Sequence, residues 1–148
     1  MLYSDCWLLA TEMTPTELGL PHRPPFLFVD TVLECVPGRR AWGQRTFQPD
    51  DPVFAGHFPG NALVPGVLLT EALAQIAGVA IGRPNEVYFL TAIRMMKFLR
   101  PVRPGELIDL RADQTSVLDA FHHFDVSARI GDEIAAQGQV VLVRAVVG

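Results

Sequence analysis

Residues 65–81 place apolar side chains on every side of a 3.6-residue period. Val67, Leu68, Leu69, Ala72, Leu73, Ala74, Ile76, Ala77, Val79 and Ala80 leave no polar face. The pattern predicts one helix of about five turns, opened by Pro65-Gly66 and enclosed on all sides. After it come four strand-like runs, 88–99, 106–117, 121–130 and 134–147. They are separated by Arg103-Pro104-Gly105, Leu118-Asp119-Ala120 and Gly131-Asp132, the mark of antiparallel strands joined by short turns. Ahead of the helix, residues 26–36 are rich in β-branched and aromatic side chains and end at Pro37-Gly38. They are expected to pair with 41–47 as a hairpin. Residues 48–66, with four Pro and three Gly, predict an ordered loop.

Thr14-Pro15-Thr16-Glu17 reads as a capping box with Pro at the first helical position, cut short by Gly19. Residues 20–25 then form an extended connector, because Pro21, Pro24 and Pro25 forbid a helix. Residues 1–13 are an N-terminal extension, and 14–148 a single domain. The fold class is α+β, one long central helix wrapped by a roughly six-stranded antiparallel sheet. One sheet covers one side of so apolar a helix. A second copy of the chain is the simplest cover for the other, so a homodimer is the expected minimal unit, open to assembly as a trimer of dimers.

Composition narrows the function classes. The 148 residues are 49% apolar and 19% charged, enough for a core without disulfides or metals. A net charge of −4 argues against nucleic acid as the partner. Cys6 and Cys35 match no metal or redox spacing and read as buried thiols in a reducing compartment. The apolar stretch 64–81 is broken by Pro65, Gly66, Thr70, Glu71, Gln75 and Gly78, which excludes a membrane span. The first ten residues have no basic region and carry Asp5, so no secretory signal is expected and the cytoplasm is the default placement. No phosphate loop, metal cluster or nucleotide fingerprint is present; no cofactor is expected.

Glu71 is the odd member of the helix. In low dielectric its charged form is disfavoured, and a carboxylic acid kept neutral can donate a proton; a Glu facing a water-filled notch or paired with an Arg is the plainer alternative. Gln75, four residues on, shares its face and can bond it. His57 stands in Gly56-His57-Phe58-Pro59-Gly60, where two glycines and a proline can fix one imidazole in place. An imidazole is a competent general base near neutral pH. The N–H of Gly66, unpaired at the helix start, can hold a developing oxyanion. His22, His122 and His123 read as structural or surface positions. A base, a neutral acid and an oxyanion site beside an apolar interior suit proton abstraction next to a carbonyl, with loss or gain of a polar group at the next carbon.

Three blocks carry a family resemblance. Leu20-Pro21-His22-Arg23-Pro24-Pro25-Phe26-Leu27-Phe28-Val29-Asp30 is the first. The second runs from Gly56-His57-Phe58-Pro59-Gly60 through Val64-Pro65-Gly66-Val67-Leu68 to Glu71-Ala72-Leu73-Ala74-Gln75. The third is Arg100-Pro101-Val102-Arg103-Pro104-Gly105. From about residue 14 onward the chain resembles the FabZ-type β-hydroxyacyl-acyl-carrier-protein dehydratases. The resemblance implies a hot-dog fold whose dimers pair their sheets. It implies a (3R)-3-hydroxyacyl thioester as substrate and a trans-2-enoyl product, made for fatty-acid, polyketide or aryl-polyene synthesis. His57 would be the base, Glu71 of the partner protomer the acid, and Gly66 the thioester-binding group. Gln75, Gly56 and Pro65 would support them. Glu at 71, where the related dehydratase/isomerases carry Asp, implies dehydration without isomerisation. Val53, Phe54, Phe58, Leu68, Tyr88, Phe89 and Ile93 are candidate acyl-tunnel residues, Tyr88 as a gate. The chain departs from the family pattern at Ala55 and Arg94.

Two alternatives belong to other classes: a hot-dog acyl-thioester hydrolase, and a catalytically silent acyl-binding subunit. Only Lys97 of the twelve basic residues is Lys, and Arg94, Lys97, Arg100 and Arg103 cluster on an acidic chain. They are expected either to lie on a solvated strand face or to dock the acidic acyl carrier protein.

Overall fold

The structure, a computed structural model, describes residues 12–146. Its elements are β1 (Thr31–Val36), β2 (Arg40–Thr46), α1 (Val53–Gly56), α2 (Gly66–Ile81), β3 (Tyr88–Phe98), β4 (Leu107–Leu118), β5 (Phe121–Ile130) and β6 (Glu133–Arg144). Six strands form one sheet in the order β1-β2-β4-β5-β6-β3, with antiparallel pairing throughout. The expected long helix and strands are there, in an α+β hot-dog arrangement.

Helix α2 starts and stops where the sequence places its ends. Pro65 stands at its N-cap and Gly82 at its C-cap, in the left-handed region at φ 70 with its N–H on the Val79 carbonyl. A Cβ at Gly82 would stand 2.5 Å from Pro37 Cβ and 2.8 Å from Pro37 Cα. The β1–β2 turn is thus packed on the helix end, and Gly38 N–H bonds the Ala80 carbonyl there. The helix lies mainly against β4 and β2. Ile108, Leu110 and Ala112 of β4 and Phe124, Val126 and Ala128 of β5 meet it from the sheet, all buried.

Three expectations need correcting. The first strand begins at Thr31, not at 26, because the backbone of 26–28 is bonded to a helix side chain instead of to a neighbouring strand. The loop 48–66 contains the short helix α1. The second side of α2 is covered largely by the chain's own connector: Leu20, Phe28 and Val29 are buried in the same core, and Leu20 reaches Gly78. A row of exposed apolar side chains lies on β3, one of the two outer strands, at Phe89, Ile93, Met95 and Phe98.

The Thr14–Glu17 capping box forms in both directions, with Glu17 N–H on Thr14 Oγ1 at 3.1 Å and Thr14 N–H on Glu17 Oε2 at 2.9 Å. The segment is a turn, not a regular helix. Met13, expected in the extension, bridges Val32 at the sheet edge through two backbone bonds. Residues 1–11, Cys6 among them, lie outside the described residues; Cys35 is buried. Among the described residues, no helix is long and apolar enough to cross a membrane.

Candidate active site

His57 follows directly on α1, which Gly56 ends. Its Nδ1 lies 2.9 Å from the Leu63 carbonyl oxygen. A carbonyl only accepts, so Nδ1 carries the proton and Nε2 presents a lone pair, the tautomer a general base needs. The Leu63 N–H returns a bond to the His57 carbonyl at 3.0 Å, and the Phe58 ring stacks on the imidazole at 4.0 Å between centroids. The loop therefore holds the ring from two directions.

Only Val64 and Pro65 separate Leu63 from Gly66, which opens α2. Among the described residues no side chain caps this end, so first-turn N–H groups point outward without a cap. Phe98 of β3 covers the spot: a Cβ at Gly66 would lie 3.0 Å from its ring. A pocket of about 300 Å³ runs between them, with Leu69, Leu99 and Val102 in its walls.

Glu71 faces a different cavity. This pocket, about 510 Å³, is lined by Leu20, His22, Phe26 and Glu71 with Tyr88 and Phe89 among the rest; neither His57 nor Gly66 is in its wall. The Glu71 side chain is 20% exposed. Gln75, 1% exposed, donates from Nε2 to Glu71 Oε2 at 3.0 Å and to the Phe26 carbonyl at 3.1 Å, while its Oε1 accepts from Phe28 N–H at 2.8 Å. One amide thus ties the acid to the connector. Thr70, also buried, turns back to the Gly66 carbonyl at 2.9 Å.

Of the expected tunnel residues, Tyr88 and Phe89 line the Glu71 pocket and Val53, Phe54, Phe58, Leu68 and Ile93 do not. Phe54 is buried in the core, with Val53 and Leu68 packed against it, whereas Phe58 and Ile93 are exposed. The Tyr88 hydroxyl donates to Glu86 at 2.7 Å; burial first, then this bond, push its pKa up to about 12. His122 meets the Tyr88 ring edge-on at 5.3 Å, and burial lowers its pKa.

The basic cluster divides. Arg100 is bound to Glu106 through two bonds of 3.1 and 2.7 Å, with Glu133 at 3.6 Å, so its charge is answered within the chain. Arg103 bonds Asn61 Oδ1 at 3.1 Å, beside the His57 loop. Lys97 lines a shallow depression on the outer sheet face with Asp113 and Asp125, and Arg94 is exposed.

Sequence reasoning missed two neighbours of the chemistry. His22 stands 3.6 Å from Glu71, and Phe98 lies over Gly66. Nothing local marks either: the connector crosses α2 and β3 returns to its start only in the folded chain.

A long helix seated on a six-stranded antiparallel sheet, with His57 in the loop before the helix and the half-buried Glu71 on it, defines a hot-dog fold. Fold alone does not choose among hot-dog activities. A dehydratase heterocomplex, ApeI:P from Xenorhabdus doucetiae, has a TM-score of 0.76 at 17% identity, over 90% of this chain and 92% of that one. A variant of the fluoroacetyl-CoA-specific thioesterase FlK has 0.62 at 17%, over 73% and 86%. Sequence does choose. A 3-hydroxyacyl-[acyl-carrier-protein] dehydratase FabZ from Psychromonas ingrahamii is 38% identical over 131 residues, 84% of this chain and 87% of that protein. The family model for ApeI dehydratase, ApeI-like, matches residues 36–139. The chain belongs to this dehydratase family.

Proposed function

We propose that the protein removes water from (3R)-3-hydroxyacyl groups carried as thioesters on an acyl carrier protein, in the cytoplasm, giving trans-2-enoyl products. Its family membership supports the reaction class. The observation that carries the mechanism is the His57 tautomer, fixed by the Leu63 carbonyl with Nε2 left basic. Nε2 takes the proton from C2 of the acyl group while the Gly66 N–H holds the thioester oxygen as it gains charge. Glu71 of a second protomer gives a proton to the C3 hydroxyl. The C3–O bond breaks, water leaves, and the C2–C3 double bond forms; His57 and Glu71 then exchange their protons back through solvent. With Glu rather than Asp as the acid, the double bond stays at C2–C3.

Two features support a shared site. Within one protomer Glu71 lines a cavity whose wall does not include His57. The outer strand β3 exposes a row of apolar side chains, and its Phe98 packs on Gly66. Two copies pairing through β3 bury that row and bring one base to one acid. Acyl carrier protein docks through Arg94, Arg103 and Lys97, with Tyr88 at the edge of the acyl pocket.

The test is hydration of a crotonyl thioester by purified protein, followed by loss of enoyl absorbance. His57→Ala and Glu71→Gln each lower kcat at least about a hundredfold with the fold intact by circular dichroism. Near wild-type rates in both variants refute the assignment, and release of free thiol in place of hydration identifies a thioesterase.

A further inference from the structure

Gln75 settles which oxygen of Glu71 does what. The Phe28 N–H can only donate, so the atom 2.8 Å from it is the Gln75 oxygen, and the amide nitrogen faces Phe26 and Glu71. Glu71 Oε2 therefore accepts. An acid that is about to deliver a proton must carry it on Oε1.

His22 approaches the same oxygen, with Nε2 at 3.6 Å from Oε2. Its other ring nitrogen, Nδ1, is buried and has no hydrogen-bond partner among the described residues. The imidazole proton belongs on the nitrogen that has an acceptor in reach, which is Nε2. The ring is held in place. It stacks over Phe26 at 6.5 Å, and Arg23 Nη1 bonds the carbonyls of Leu20 and His22, both at 2.8 Å. The charged groups around it are Glu71 on α2 and Arg23 on its own connector, with Arg83 and Glu86 further along the pocket wall. Burial dominates over Glu71 and keeps the His22 pKa below 6.5, so the ring is neutral at pH 7.

We propose that His22 is a positioning residue for the acid: its Nε2–H closes on Glu71 Oε2 when substrate fills the pocket, and with Gln75 it turns Oε1–H toward the departing hydroxyl. This rests on the dehydratase reading above. Contacts of this kind are often long in an empty site and shorten in the substrate complex. The proton passes from Oε1 to the hydroxyl oxygen, the C3–O bond breaks, and the carboxylate left behind is held at Oε2 by two N–H donors. The bland alternative is that His22 only packs the connector.

The experiment compares kcat and KM for crotonyl thioester hydration in the full chain and in His22→Leu, His22→Asn and His22→Gln. A Gln amide nitrogen reaches about as far as Nε2; an Asn amide stops at Nδ1. Leu and Asn are expected to lower kcat about tenfold with KM within about twofold, and Gln to restore most of the loss. Wild-type kcat in the Leu variant overturns the proposal, and so does an equal loss in Asn and Gln, since packing alone does not tell the two amides apart. Should Leu fail to fold, the Asn–Gln comparison decides. An inactive parent protein overturns the dehydratase reading instead, so the two failures are distinguishable.

Discussion

Replacing Gln75 with Leu tests whether one buried amide assembles both the connector and the acid. The side chain makes three hydrogen bonds, to Phe28 N–H, the Phe26 carbonyl and Glu71 Oε2, at 2.8, 3.1 and 3.0 Å. Leu fills nearly the same volume, so no large cavity opens and the cavity cost of a truncation is avoided. What remains is polar. Phe28 is buried, and its N–H left without an acceptor costs about 1–3 kcal/mol. Phe26 is half exposed, so its carbonyl finds water at less cost. The sum is about 2–4 kcal/mol, a large part of a domain stability of about 5–15 kcal/mol. Urea unfolding at fixed protomer concentration reads it, with concentration fixed because subunit association shifts the midpoint. Thr70→Val is the control: Thr70 is also buried on the same helix but bonds the helix's own Gly66 carbonyl, and its replacement loses about 1 kcal/mol or less. A Gln75→Leu protein within about 0.5 kcal/mol of the parent refutes the reasoning, because the connector is then held by apolar packing alone.

Other expectations follow from single contacts. Gly82→Ala forces a Cβ to within 2.8 Å of Pro37 backbone at φ 70, and a Tm fall of roughly 5 °C or more is expected; an unchanged Tm counts against the helix end as placed. Arg100 and the backbone N–H of Arg103 hold Glu106 below its ordinary carboxylate pKa of 4.5, the Arg100 bond being the largest influence. A lowered folded-state pKa gives stability that is present above 4.5 and lost as pH falls through the folded value. Glu106→Gln is therefore less stable than the parent at pH 6, and the gap closes on acidification; a gap constant down to pH 3 on the order tested denies the ion pair. Arg103→Glu with Lys97→Glu raises KM for a carrier-protein substrate, an effect that fades with salt, and leaves KM for a small thioester alone; equal effects on both substrates count against docking there.

The residues differ in how far their surroundings could be read from the chain. Helix α2 was legible because no side of it is polar and Pro65 and Gly82 bracket it. His57 was legible because its partner, Leu63, is six residues away in a loop of Gly and Pro. The first strand's late start was not. Residues 26–28 have the composition of a strand, but their backbone groups are taken by a side chain 47 and 49 residues distant. The ion pair of Arg100 was not legible either: Glu106, six residues on, answers it across the turn. Cover for α2 was assigned to a second copy because a proline-rich connector has no period that shows which way it folds, and it folds over the helix.

That contrast makes the two halves of the site separable. The proposed base, His57, is held locally, by the turn from Gly56 to Leu63. The proposed acid, Glu71, is held across the fold, by Gln75 and the connector that carries His22. Arg23 clamps that connector from outside through its two carbonyl bonds and touches neither Glu71 nor His57 by any bond it makes there. Arg23→Ala is thus expected to lower kcat several-fold, the loss of about 1 kcal/mol, by loosening the acid's support alone. The rate at which diethyl pyrocarbonate modifies His57, measured against the His57→Ala background, is expected to stay unchanged. If the modification rate shifts along with kcat, the base and the acid share one support and the separation is wrong.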